Sequence, residues 1–463
     1  MSAYLRRDRT LILGIVAVFA TLAAGSNGGA QSVGPDGSRQ SPDPVGGPNA
    51  PSAAKRTSGD LDTSFAGDGT LWSYLPGNGG LPTDPRDEAT AVAVDDGGGI
   101  LVATHGAVWA FAIRRYTADG TLDTTFGTNG PEGLSTPFAG VGGQVRAMAI
   151  QPDGRIVVGG FAGGGFALAR LMPDGSLDAS FGSGGQVLSD FFPGASELAY
   201  GMALQVDGRI VLAGQADGGA GVVVTLARYN SDGSLDTTFG AGGLVLSGFP
   251  GAANAVAVQP DGRIVVAGLS FLVTRFNADG SLDAGFGSGG HVAVPFGGPG
   301  GSEAKAILVQ PDGRIVVGGA TDNTYGFPDE FALARLNPDG SLDKPFGHGG
   351  MVTTDFYGRS AGAGALLLQP DGRLVAAGSG YPSHQSPSSH FALARYESNG
   401  QLDHSFGKDG LAVAAIEGSS FYDYALAVTA QPDGRIVAAG GVHFRCEVDG
   451  CDFNGYALAR FLP

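Results

Sequence analysis

One phrase constrains this chain more than any other feature. QPDGRIVVGG at Gln151 recurs as QVDGRIVLAG at Gln205, QPDGRIVVAG at Gln259, QPDGRIVVGG at Gln310, QPDGRLVAAG at Gln369 and QPDGRIVAAG at Gln431, with a degenerate copy, DDGGGILVAT, at Asp95. The turn glycines Gly98, Gly154, Gly208, Gly262, Gly313, Gly372 and Gly434 are 51 to 62 residues apart and mark seven units. A period of this length means a repeat architecture, in which each unit buries its apolar surface against its neighbours.

Each unit carries four short strand signals. The first ends at Gln, as in AMAIQ, and the second follows the Pro-Asp-Gly turn, as in RIVVGG. A third, FALARLM from Phe166, meets another Asp-Gly turn, and a fourth, QVLSDF from Gln186, comes after LDASFGSGG. Asp and Gly suit tight hairpins because Gly accepts positive φ and Asp bonds its own backbone. Runs such as AVAV and RIVV do not alternate strictly, which fits sheets packed on both faces. The fold predicted is all-β: a seven-bladed β-propeller of four-stranded antiparallel blades. The seventh unit ends at YALARFLP without an LDxxFG segment or fourth strand, and GDLDTSFAGDGTLWSYL from Gly59 supplies both. The N- and C-terminal segments are therefore expected to pair and close the ring, which removes exposed sheet edges.

These PDG-R-I-V and LD-x-x-F-G phrases, from Gly59 to Pro463, resemble the delta-60 repeat family, found in bacterial exported proteins and regarded as β-propellers. The resemblance implies the fold and export; it brings no common activity and no catalytic residues. Two units depart from the pattern: the first lacks the PDGR turn, and the sixth has Asn399 in place of the second-turn Asp.

Residues 1–30 read as a signal peptide, with Arg6, Arg7 and Arg9 before an apolar run from Leu11 to Ala24 that is too short for a comfortable membrane span. Residues 31–58, rich in Pro, Gly and Ser, read as a disordered linker, leaving 59–463 for the propeller. The expected location is therefore secreted, periplasmic or cell-surface, with no membrane span in the mature chain. A net charge of −17 argues against nucleic acid as a partner. Much of that acidity sits at repeated turns.

Every unit places an Arg on the third strand, including Arg170 and Arg460, and an Asp in the LD phrase, including Asp178 and Asp62. Residues repeated in every blade are read as structural pairs, since a binding or catalytic site needs asymmetry and a buried Arg needs a counter-charge. The Gln that ends six first strands forms either a polar channel ring or a hydrogen-bonded structural ring, and the structural reading is preferred. No HExxH or Walker loop is present in the repeats, and the GxSxG string GRSAG at Gly358 lacks the strand-to-helix frame of a nucleophile elbow, so no cofactor, metal or catalytic residue is assigned. Cys446 and Cys451 admit a soft metal site with His443 or a disulfide; export favours the disulfide.

The Asp-Gly turns define one uniform face. Length variation collects on the other face, in the second-to-third connections at 321–330, 381–390 and 442–454 of consecutive units. Variable loops on a rigid scaffold are where binding usually resides. Tyr325, Phe327, Tyr381, His384, His390, His443 and Phe444 fall there, and Trp72, Tyr74 and Tyr422 fall in the inter-blade segments. Aromatic side chains among polar neighbours suit carbohydrate or a protein segment. Two functions follow: a binding or scaffold module acting through the variable-loop face, or a propeller hydrolase or lyase on polysaccharide. The second would use carboxylates such as Asp329, Glu330, Glu417, Asp423, Glu447 or Asp449.

Overall fold

The computed structural model describes residues 57–463 apart from 76–86, 106–110, 129–132, 297–301, 322–328 and 446–451 and positions 218, 220, 359, 420 and 421. The described residues contain strands and turns but no helix, and so none long and apolar enough to cross a membrane. The strands form seven separate four-stranded antiparallel sheets, giving an all-β, seven-bladed β-propeller. In the second blade, strands Gly143–Ile150, Ile156–Ala162, Gly165–Leu171 and Gln186–Ser189 run in order from the axis outward. The innermost strands of the other blades are Glu88–Val94, Glu197–Leu204, Ala253–Val258, Glu303–Val309, Gly362–Leu368 and Tyr424–Ala430.

The repeated phrases explain the blades locally. In the first turn Gly154 N–H bonds Gln151 O at 2.9 Å, and Asp153 accepts from Arg155 N at 3.1 Å. In the second, Asp174 accepts from Ser176 N at 2.9 Å while Gly175 holds φ at 87°. A Cβ at Gly175 would also meet Gly127 N at 2.6 Å and the Phe126 ring at 2.8 Å, both in the preceding blade. Glycine is required there twice over, by backbone sign and by close approach.

Between these turns the repeated Arg and LD Asp pair. Arg170 Nε donates to Asp178 Oδ2 at 2.8 Å, and Arg155 Nε lies 3.0 Å from the same oxygen. The Arg170 guanidinium lies over Phe181 of the LDxxFG phrase, 4.6 Å from the ring centroid. Its Nη1 donates to Ser231 O in the next blade. Arg115, Arg228, Arg275, Arg335 and Arg460 likewise reach a turn carbonyl of the neighbouring blade. Burial pushes the Asp178 carboxyl up, but hydrogen bonds from Ser180 and the charge of Arg170 outweigh it and leave it below the usual carboxylate range. Asp62, Asp236 and Asp403 are lowered against the same desolvation by equivalent partners.

Strand Thr70–Ser73 pairs with the C-terminal strand Asp452–Phe461, Thr70 opposite Ala459 and Ser73 opposite Tyr456, and is the outer strand of the seventh blade. Asp62 lies 2.9 Å from Arg460 Nη2, so that ion pair joins the two ends of the described chain. The seventh blade packs against the first through Val437, Ala439, Tyr456 and Leu458 on one side and Ala89, Val92, Ile100 and Tyr116 on the other, with Phe65 between them. At this seam Arg114 Nη1 donates to Tyr456 Oη at 2.7 Å, and the Tyr116 and Tyr456 hydroxyls are 2.6 Å apart.

One expectation about loops needs correction. Segment 442–454 is not wholly a connection: the second and third strands of the seventh blade extend to Arg445 and from Asp452, with Phe444 opposite Phe453. The longer ladder carries Phe444 into the core beside Ile416 and Val442, where it is 5% exposed.

Candidate functional site at the channel mouth

Every inner strand carries an extra residue at the same place. Register shifts fall between Ala89 and Ala91, Val145 and Ala147, Ala199 and Gly201, Ala253 and Ala255, Ala304 and Ala306, Ala363 and Ala365, and Ala425 and Ala427. The residues so inserted are Thr90, Arg146, Tyr200, Asn254, Lys305, Gly364 and Leu426. A bulge leaves its extra residue out of the ladder and re-aims its side chain. All seven line one cavity on the propeller axis, of about 110 Å³. They stand near the starts of the inner strands, toward the face where blade-to-blade segments enter and opposite the Asp-Gly turns.

The scaffold is repetitive but this ring is not. Blades two to five contribute Arg146, Tyr200, Asn254 and Lys305, a polar wall; blades six, seven and one contribute Gly364, Leu426 and Thr90, a small and mostly apolar one. Gly364 keeps its side open for a steric reason, since a Cβ there would meet Ala425 O of the next inner strand at 2.8 Å. Two residues further along six of the seven strands, Val92, Met148, Val256, Ile307, Leu366 and Val428 line the cavity with aliphatic surface.

Polar contacts position the wall. Arg146 Nη2 donates to Gln144 Oε1, and its guanidinium lies 5.8 Å from the Tyr200 ring centroid and 5.9 Å from that of Phe161. Burial holds Arg146 below its ordinary pKa, against the opposing charges of Glu88 and Tyr200, and burial pushes the Tyr200 hydroxyl up. Asn254 Nδ2 donates to Glu303 Oε1 at 2.8 Å, and Lys305 Nζ lies 3.6 Å from Glu303 Oε2. Tyr424 Oη donates to Glu88 Oε1 at 2.5 Å; burial, with the Glu88 charge beside it, drives that phenol far above its ordinary pKa. Thr90 Oγ1 donates to Val145 O at 2.9 Å and ties the first blade to the second.

The sequence contains a signal for this ring. In each unit, five positions before the strand-ending Gln or Asp95, one dissimilar residue sits between two small ones, as in VRA, AYG, ANA and AKA. The glutamines themselves face the other end. Gln259 and Gln431 donate to the turn carbonyls of Gly313 and Gly98 in the following blades.

The residues singled out from sequence are dispersed. Trp72 and Tyr74 are partly exposed on or beside an outer strand, and the Trp72 ring packs 4.4 Å from that of Phe444. Tyr422 is exposed, Tyr381 half-buried, and His384 lies edge-on to Tyr357 at 6.1 Å. His390 Nδ1 is 3.3 Å from Asp423 Oδ2, which also accepts from Ser419 Oγ at 2.7 Å. His443 is half-buried on the second strand of the seventh blade. Tyr325, Phe327, Cys446, Cys451, Glu447 and Asp449 lie outside the described residues. Among the described residues, none of these aromatic or histidine side chains lines the axial cavity.

Sequence reasoning also missed a set of buried carboxylates three residues before a bulge. Asp87 accepts from Leu75 N at 2.8 Å, and Glu197 accepts from Phe191 N at 2.8 Å and Phe192 N at 2.6 Å. With Asp423 these acids fold the blade-to-blade segments down onto the sheet. Burial pushes the Glu197 carboxyl up. Among the described residues no group of three His, Cys, Asp or Glu is placed to hold a metal ion.

Six segments of the chain, residues 98–126, 151–181, 205–239, 259–286, 310–346 and 369–406, match the family model described as "Domain of unknown function (DUF5122) beta-propeller". These segments are similar to the repeat of a β-propeller family of unknown function. The matched segments begin at or near the first turn and end at or beside the FG phrase, leaving the seven bulged positions outside them. No curated protein matches the chain. Among solved structures, it is similar to a protein of unknown function from Dyadobacter fermentans, at 15% identity and a TM-score of 0.39, over 84% of this chain and 97% of that one. It is also similar to Chaetomium thermophilum Sqt1, solved bound to the N-terminus of ribosomal protein L10, at 12% identity and a TM-score of 0.46 over 81% and 84%. A Lactobacillus plantarum protein matches at 13% identity and a TM-score of 0.38 over 71% and 88%.

Proposed function

We propose that this protein, built from repeats of the delta-60 kind, is an exported binding module whose ligand enters the channel mouth on the variable-loop face. One observation carries the site: seven equivalent bulged positions point into one axial cavity and hold seven different residues, while the Arg, Asp, Phe and Gly of the scaffold recur from blade to blade. A scaffold position is constrained by its neighbours in every blade alike, whereas a ligand without sevenfold symmetry requires unlike groups around it. Export rests on the N-terminal signal-like segment.

The test is retention of ligands from a glycan and peptide panel by the folded chain and by Leu426→Trp, which fills the cavity from its apolar wall. The reading expects retention by the wild type that Leu426→Trp abolishes and that Tyr422→Ala leaves intact. Equal retention by Leu426→Trp, with a melt close to wild type, overturns the channel assignment. Secreted material should lack residues 1–30 by intact mass; an unprocessed chain confined to the cytoplasm overturns export.

A further inference from the structure

We infer that the channel mouth takes a single carboxylate group carried on a short body, a reading that rests on the binding role just proposed. The first ground is the composition of the wall. Among the described residues, Thr90, Arg146, Tyr200, Asn254 and Lys305 are the polar side chains that line the cavity, and no Asp or Glu lines it. In a chain of net charge −17 this is a local concentration of cations and neutral donors.

The second ground is the state of Arg146. The seven repeated arginines each meet an LD aspartate, but Arg146 has no described carboxylate within ion-pair distance; its partners are the Gln144 amide and two aromatic rings. Its Nε is shielded from solvent without a hydrogen-bond partner. The Glu88 charge acts on Arg146 only from beyond ion-pair distance, and a guanidinium shielded from solvent without a direct anionic partner is costly unless an anion completes it. The carboxylates nearest the mouth are already engaged: Glu88 accepts the Tyr424 hydroxyl, and Glu303 accepts Asn254. Glu303 stands 3.6 Å from Lys305, too far for a hydrogen bond, and the Lys305 side chain is half exposed.

Size and charge narrow the class. A cavity of about 110 Å³ is smaller than the roughly 150 Å³ that accommodates benzene in an engineered protein core. It admits an end group, with anything larger projecting through the mouth. A planar monoanion matches the forked donors of one arginine. Glu88 and Glu303 just outside the wall disfavour a phosphate or sulfate dianion. The aliphatic lining beneath, Val92, Met148, Val256, Ile307, Leu366 and Val428, suits a short carbon chain or the edge of a sugar ring. The same carboxylate chemistry could come from a free short-chain acid or from a uronate at the end of a glycan.

Isothermal titration of the full folded chain tests this with propionate, galacturonate, their neutral counterparts propionamide and galactose, and inorganic phosphate. The expected result is binding of one or both carboxylates and not of the matching neutral compound. Arg146→Gln and Lys305→Met should each weaken it at least tenfold, while Lys344→Met, an exposed cation in an LDxxFG segment, leaves it unchanged. Propionate binding alone assigns a free acid, and galacturonate binding alone assigns a glycan end. Equal binding of the neutral compounds, tighter binding of phosphate, or retention of affinity in Arg146→Gln overturns the carboxylate assignment but leaves the channel as a binding site. No binding of either carboxylate at 10 mM overturns it as well. The channel reading itself fails only if ligand retention ignores Leu426→Trp.

Discussion

Replacing Asp178 by Ala should destabilise the propeller through the charge it strands rather than the contacts it deletes. The Asp178 carboxylate accepts Arg170 Nε at 2.8 Å and Arg155 Nε at 3.0 Å through one oxygen, and Ser180 N at 3.0 Å and Oγ at 2.6 Å through the other. Arg155 is about one-third exposed and contributes little by itself. Arg170 is 8% exposed and cannot rehydrate fully. Removing one partner of a buried pair costs about 3–5 kcal/mol. Arg170 keeps its bonds to Ser231 O and Ser180 Oγ and its place over Phe181, which puts the loss near the lower end, about 3 kcal/mol. With an unfolding entropy of about 2.1 cal/mol/K per residue over roughly 400 residues, that corresponds to a fall in Tm of about 4 °C if unfolding is cooperative. Differential scanning calorimetry and urea titration read both quantities. The double variant Arg170→Met with Asp178→Leu, which removes the pair as a unit, should recover most of the loss. A single variant within about 1 kcal/mol of wild type, or a double variant no better than the single, refutes the stranded-charge argument.

The same pairs predict acid sensitivity. Asp62, Asp178, Asp236 and Asp403 are lowered in the folded state, so their contribution is fully present above the unfolded value of about 3.9 and is lost as pH falls through the folded values. The urea midpoint should therefore hold down to about pH 5 and then decline, and a midpoint unchanged at pH 2.5 refutes this. Deleting residues 59–75 removes Asp62, the buried Phe65 and the outer strand of the seventh blade, and should lower the melt by more than Asp178→Ala does; an unchanged melt shows that the N-terminal strand is dispensable. Phe444→Ala should cost about 3 kcal/mol as a core truncation, whereas Tyr422→Ala on exposed surface should stay within about 0.5 kcal/mol. Equal melts for the two would contradict the placement of Phe444 in the core.

The blades were legible because their determinants are local. An Asp-Gly turn bonds its own backbone within four residues, and six of the seven third-strand arginines find an Asp eight residues ahead, as Arg170 finds Asp178 and Arg395 finds Asp403. The missing outer strand of the last unit was also readable, since Thr70–Ser73 repeats the fourth-strand signal and pairs with the C-terminal strand in register. The burial of Phe444 was less accessible: a cluster with His443 and Cys446 reads as a loop, while the ladder from Val442 to Arg445 is decided by pairing with residues across the hairpin.

The channel ring marks the limit most clearly. Arg146, Tyr200, Asn254 and Lys305 stand inside apolar runs, and strict strand alternation gives no reason to bring them to a common axis. The amino-acid sequence by itself determined seven blades, their turns and the Arg–Asp pairs, because those depend on contacts within a unit or on what every unit shares. Only the tertiary structure decided which residues meet in the channel. A bulge exists only as a mismatch in length between two paired strands, and the cavity it lines exists only once seven inner strands stand around one axis.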